Sequence, residues 1–346
     1  MNSETLRSRS RAVRLVAVIL VCCSATLLAC QVPVFRYALE RWNADQYRVT
    51  VLHDQPLTAS QQEALESLRK AALATPDMPA SLDLQVLDLS GGVRLSPQMQ
   101  AQWQQRAAAD EPLVLVEFPR ANETGRTEPV YAAALTAPMA AQLLDSPVRQ
   151  EVVARLAAGH SAVWVFVPCG REAEDSAALK RLDAQLDADE DWLEIPSAEE
   201  LEVQPEVLEQ VKVPLQIQFS VVTLRRDDPA EKFLLQSLLL SEEDLTQFDQ
   251  PLAFPVFGQG RVLYALVGQG IATDTIRTAS AFMCGPCSCQ VKNQNPGFDL
   301  LLRTDWKARL GDVLISEPVE TVDKEANAPT LLAIPPGRKA ASGGTP

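Results

Sequence analysis

"SAVWVFV" (Ser161–Val167) is seven residues with no charge, rich in β-branched and aromatic side chains, and it reads as a strand buried on both faces. The residues after this strand set the order of the second half of the chain. Asp175 or Ser176 is positioned to cap the helical stretch "SAALKRLDAQLDA". The acidic run "DEDWLEIPSAEELEVQPEVLEQ" then reads as a loop leading to a second strand, "VPLQIQFSVVTL" (213–224). "AEKFLLQSLLL" is a helix, with Ser241 and Asp244 opening a shorter one. "LAFPVF" and "RVLYALV" flank the glycines of "GQG" as a hairpin, and a last helix runs from about Thr273 to Phe282.

The same order stands earlier in the chain. "YRVTVL" (47–52) alternates like a strand, and Ser60 with Glu63 has capping-box spacing before Ala64, Leu65, Leu68 and Ala72. A strand "LDLQVLDL" (82–89) and a polar, Gln-rich stretch around Trp103 come after that helix. "PLVLVEF" (112–118) and "EPVYAAAL" (128–135) are next, separated by "PRANETGRT", and a helix broken at Pro147 closes the unit. Strand–helix–strand–hairpin–helix resembles the thioredoxin-like arrangement, as does Pro112 just before a third strand. The expectation is an α/β protein of two tandem thioredoxin-like units, 47–160 and 161–315. The first has "HDQPLT" where a thioredoxin carries its cysteines, so it has no thiol chemistry there.

Length allows two domains of ordinary size. The net charge is −14, and beyond residue 30 there remain 27 basic against 44 acidic side chains. A surface that negative repels phosphate backbones, so nucleic acid is not expected as a partner. The two histidines, His53 and His160, are isolated in sequence and leave almost no material for a His-based metal site or for Ser/His/Asp or Cys/His catalysis.

The first 30 residues carry Arg7, Arg9, Arg11 and Arg14 before the apolar run "LVAVILVCCSATLLA". This is the pattern of an export signal, shorter than the roughly 20 apolar residues that span a bilayer comfortably. Leu27-Leu28-Ala29-Cys30 resembles the bacterial lipobox, which implies lipidation at Cys30. An uncleaved anchor and ordinary cleavage after Ala25 are the alternatives. The helix expected in 31–46 places Val34, Phe35, Ala38, Leu39 and Trp42 on one side, suited to docking on the folded body more than to the membrane interface, because it has no strongly basic face. The end, 316–346, is polar and rich in Pro, Gly and Ala, which reads as a disordered tail.

"CGPCSC" places Cys284, Cys287 and Cys289 together. Three readings stand open. The thiols form a redox-active site, with Lys292 near enough to lower a thiol pKa. They offer three soft ligands for Zn or Cu(I). Or they form a structural disulfide of an exported protein. The spelling of the thioredoxin motif lacks the thioredoxin context, since it comes after a helix instead of opening one. Cys169, just after "SAVWVFV", holds the place a thioredoxin dithiol would take, without a second Cys two residues on. The lipobox, "CQVPVFRYALERW", "SAVWVFV" and "CSCQVKNQNPGFDLL" together resemble an uncharacterised family of bacterial exported proteins. The resemblance implies an extracytoplasmic address and a role for the cysteines as "CSCQVK", and no particular activity. The expectation beside it is an envelope-anchored protein that binds a partner protein, with thiol–disulfide exchange and soft-metal binding as the alternatives. Gly268-Gln269-Gly270 lacks the third glycine and the strand–helix–strand setting of a dinucleotide loop.

Overall fold

The computed structural model describes residues 31–72, 79–108, 110–119, 128–286, 292, 295 and 297–316. Cys30 and the export signal, Cys287, Cys289 and the tail beyond 316 lie outside them.

Two mixed sheets, each flanked by helices, make an α/β fold. In the first, β1 (Tyr47–His53) pairs parallel with β2 (Leu82–Asp88) and antiparallel with β3 (Leu113–Glu117). β3 in turn pairs antiparallel with β4 (Tyr131–Ala134), giving the order β2-β1-β3-β4. In the second, β5 (Ala162–Val167) pairs parallel with β6 (Phe219–Thr223) and antiparallel with β7 (Leu252–Phe257), which carries β8 (Arg261–Val262) and β9 (Leu266–Val267); β10 (Phe298–Asp299) extends it beside β8. The first four strands of the two sheets therefore pair in the same order and the same directions.

Alternation along β5 explains why its whole length is buried. Ala162, Trp164 and Phe166 face one core with α1 (Val34–Arg41), α6 (Glu172–Trp192) and α9 (Thr273–Cys284). Val163, Val165 and Val167 face another, with α5 (Pro147–Ala157) and α8 (Lys232–Leu239). In the first sheet Val49 and Val51 pack with α2 (Ala59–Ala72) and α4 (Ala137–Leu144). On the opposite face Leu52, Leu113 and Leu115 meet Trp103 of α3 (Pro97–Gln104), a helix in the stretch that reads only as Gln-rich polar sequence. Pro147 does break the closing helix, standing in the first turn of α5 where its missing N–H costs nothing. α7 (Pro205–Gln210) and α10 (Trp306–Leu310) complete the named helices.

Several expected boundaries differ, each for a local reason. The cap of α2 is Thr58 with Gln61 in place of Ser60 with Glu63: Gln61 N–H donates to Thr58 Oγ1 at 3.4 Å, and Thr58 N–H donates to Gln61 Oε1 at 2.9 Å. α6 begins at Glu172, ahead of both expected caps, because the Asp175 carboxylate turns back to the preceding loop. Cys169 N–H donates to it at 2.7 Å and Gly170 N–H at 2.9 Å. The helix runs on to Trp192, so Asp189–Asp191 are helical and not loop. The strand expected over 213–224 is a strand only from Phe219, since its parallel partner begins at Ala162. "RVLYALV" splits into β8 and β9 because Pro255 of β7 accepts from Leu263 N–H at 3.0 Å but has no N–H to return, so the ladder is interrupted there.

α1 is docked, with Val34–Glu40 all buried. The Arg36 guanidinium donates to Glu40 at 2.6 Å and to Val213 O at 2.7 Å, while Glu40 accepts from Ile315 N–H at 3.1 Å and Ser316 N–H at 2.7 Å. A charged pair so enclosed is tolerated because both partners are hydrogen-bonded further.

Candidate functional site

Cys284 is the last residue of α9 and is 6 % exposed, packed in the core with Trp164, Ile276 and Met283. Burial pushes its thiol up to about 12; contact with the Ser161 hydroxyl works the other way, and the Asp189 charge adds to the rise. The C-terminal end of a helix also presents carbonyl oxygens, which disfavour a thiolate. At neutral pH Cys284 is a protonated, apolar side chain. Ser161 itself is engaged, donating to Gln216 O at 2.7 Å and accepting from Gln218 N–H at 3.1 Å.

Lys292, which the sequence offers as a thiol activator, is spoken for. Its ammonium lies 3.1 Å from the Asp45 carboxylate, pairs also with Asp299 and donates to Asn43 O. Asp299 is buried and further held by Arg261 at 3.2 Å. The cation therefore joins the segment after the cysteines to the stretch before β1.

Cys169 stands at the other end of β5 from Cys284, which meets Ser161 at its start. It is half-buried, and its pKa is raised, by burial first and also by Asp175; only Arg171, through its N–H and its charge, opposes the rise. The two loop N–H groups that would favour a thiolate, those of Cys169 and Gly170, already serve the Asp175 carboxylate. The strand-to-helix turn thus has the place of a thiol site and the electrostatics of a resting thiol. Among the described residues, no three His, Cys, Asp or Glu are gathered for a metal.

The residue that sequence reading misplaced is Asp189. It is fully buried, with Oδ1 accepting from Gln185 Nε2 at 2.6 Å and from Arg277 Nε at 3.0 Å, and Oδ2 without a partner. The i, i+4 spacing from Gln185 was a signal, obscured by the run of acids around it. His160 is half-buried, its pKa lowered by burial and then by Arg155. His53 contacts Gln55 O at 3.1 Å, a local turn contact. Gly268–Gly270 forms a short 3-10 turn ahead of α9. A cavity of about 240 Å³ lies between that turn and the first turns of α6, and one of about 160 Å³ beside Arg106 and Pro112. Both are smaller than the roughly 300–1,000 Å³ of a small-molecule pocket. No family model, no curated protein and no solved structure matches this chain.

Proposed function

We propose that the chain is a tandem thioredoxin-like protein, anchored on the extracytoplasmic side of a bacterial membrane, that binds a partner protein and does not turn over a dithiol. The observation that carries the non-catalytic part of this reading is Cys284, 6 % exposed at the end of a helix, where burial raises its thiol pKa to about 12. A thiol–disulfide exchanger needs a thiolate near ambient pH, exposed and at a helix start. The repeated strand order in both sheets supports the thioredoxin-like comparison, and the arginine-rich, apolar beginning with "LLAC" supports the anchor. In this reading Cys287 and Cys289 serve structure and not turnover, and the acidic surface selects a protein partner over nucleic acid.

The test is differential alkylation of the full chain in detergent, titrated in a glutathione redox buffer and scored separately at Cys169, Cys284, Cys287 and Cys289. A bridge that resists reduction below about −300 mV, or thiols that never pair, agree with a non-catalytic role. A pair that opens reversibly between about −270 and −180 mV makes the protein an oxidoreductase and overturns the reading.

A further inference from the structure

The chain leaves almost no slack between the candidate anchor and the folded body. Val32 is 4 % exposed, Pro33 forms a bridge with Pro286, and Val34 N–H donates to Gly285 O at 3.0 Å. Two extended residues reach at most ~7 Å, so residue 30 cannot lie farther than that from Val32. A lipid on Cys30 and an uncleaved apolar segment ending at Ala29 impose the same limit.

The point of entry is one pole of the second sheet. Cys284 meets Ser161 at the start of β5 there. The C-terminal part of α6 lies at the same pole, since Phe219 N–H, at the start of the parallel strand β6, donates to Glu190 at 2.5 Å. The other end of α6 is tied to the loop after β5 through Asp175. α6 has 21 residues and so spans about 30 Å between the two poles.

Resting on the proposed membrane anchor, we infer that the bilayer faces the pole where β5 begins, with α6 standing on its C-terminal end. A second observation fits this placement. Trp192, the last residue of α6, is 53 % exposed with the Arg277 guanidinium 4.8 Å from its ring centre, an apolar ring with a cation beside it, as suits the headgroup region. Asp191 and Glu194 flank that ring, so attraction to anionic lipid does not set the orientation. The short connection does. Glu172, Cys169 and the Arg225–Asp228 turn then face away from the membrane.

The experiment uses the full chain in phosphatidylethanolamine and phosphatidylglycerol vesicles that contain a metal-chelating headgroup lipid. A fluorescent amino acid replaces Trp192 in one variant and Glu172 in another, both exposed positions of the same helix. Flotation scores anchoring, and short-range quenching by the headgroup metal scores orientation. The expected result is that both variants float and that quenching at 192 is several-fold stronger than at 172. Flotation with equal or reversed quenching overturns the orientation and leaves the anchor standing. Failure to float removes the anchor, and this inference with it.

Discussion

At Cys284 the chemistry of one side chain is set by where the helix ends. In the unfolded chain the thiol titrates near 9, and in the fold near 12. The folded state keeps its proton longer, so the stability this thiol contributes is full below about pH 9 and is lost as pH rises toward 12. Under reducing conditions thermal stability is expected to fall over that window, and Cys284→Ala to flatten the fall by at most about 1.4 kcal/mol per pH unit. Equal slopes in the two proteins would show that burial does not govern this thiol. Arg149 is a harsher case. It is fully buried, donates to Leu143 O at 2.9 Å, Leu301 O at 3.0 Å and Gln142 O at 2.5 Å, and has Glu231 close by through Ser146. Burial lowers its pKa to about 10, with Asp145 and Glu231 opposing. Arg149→Leu leaves three carbonyls without a donor and the buried Glu231 carboxylate, still hydrogen-bonded to Ser146 and Val148, without its countercharge, and is expected to cost about 3–5 kcal/mol in chemical denaturation. Nothing in "SPVRQEVVARL" distinguishes this arginine from a surface one, because the groups it serves come from another turn and from residue 301.

Among the elements, α1 tests how sequence becomes docking. Its apolar positions were readable from helical spacing, and so was its preference for the folded body. The buried Arg36–Glu40 pair was not, since an i, i+4 ion pair looks the same on a solvated face. Gly258 sets how closely α1 approaches: its φ is +59°, and a Cβ there would lie 2.6 Å from the Ala38 Cβ. Gly258→Ala is expected to destabilise by about 1–3 kcal/mol and to speed hydrogen exchange across Val34–Arg41. Gly92 has φ +75° and open space around it, so Gly92→Ala carries only the backbone cost of about 1–2 kcal/mol and leaves α1 protected. If both changes leave α1 equally protected, the close approach is not what seats the helix. The split of "RVLYALV" belongs to the same scale. Alternation marks a strand, but the missing N–H of Pro255 acts on its neighbour, which the neighbour's own sequence does not record.

Over the whole molecule, the segment after the cysteines joins the two sheets. Phe298 and Asp299 pair with β8, while Ser81 N–H donates to Leu302 O at 3.3 Å and Thr304 N–H to Pro79 O at 3.1 Å. Leu301 sits in the first sheet's core beside Tyr47 and Phe233, and Leu300 and Leu302 in the second's. The two halves are therefore expected to unfold together, with fluorescence from Trp103 and Trp164 reporting a single transition in denaturant. Leu301→Ala should lower that transition as a unit by about 2–5 kcal/mol. Two separated transitions would mean that each half is held by its own sheet alone.

What the amino-acid sequence determined by itself was local and periodic: the helix-flanked α/β character, the duplicated order of elements, the break at Pro147, and the apolar face of α1. Those arise from backbone periodicity and from proline's missing donor, which act within a few residues. The tertiary structure alone decided the state of Cys169 and Cys284, the burial of Asp189 inside an acidic run, the engagement of Lys292 and the interlocking of the halves by residues 298–304. Burial and charge are properties of what surrounds a side chain, and here the surroundings come from residues tens to hundreds of positions away.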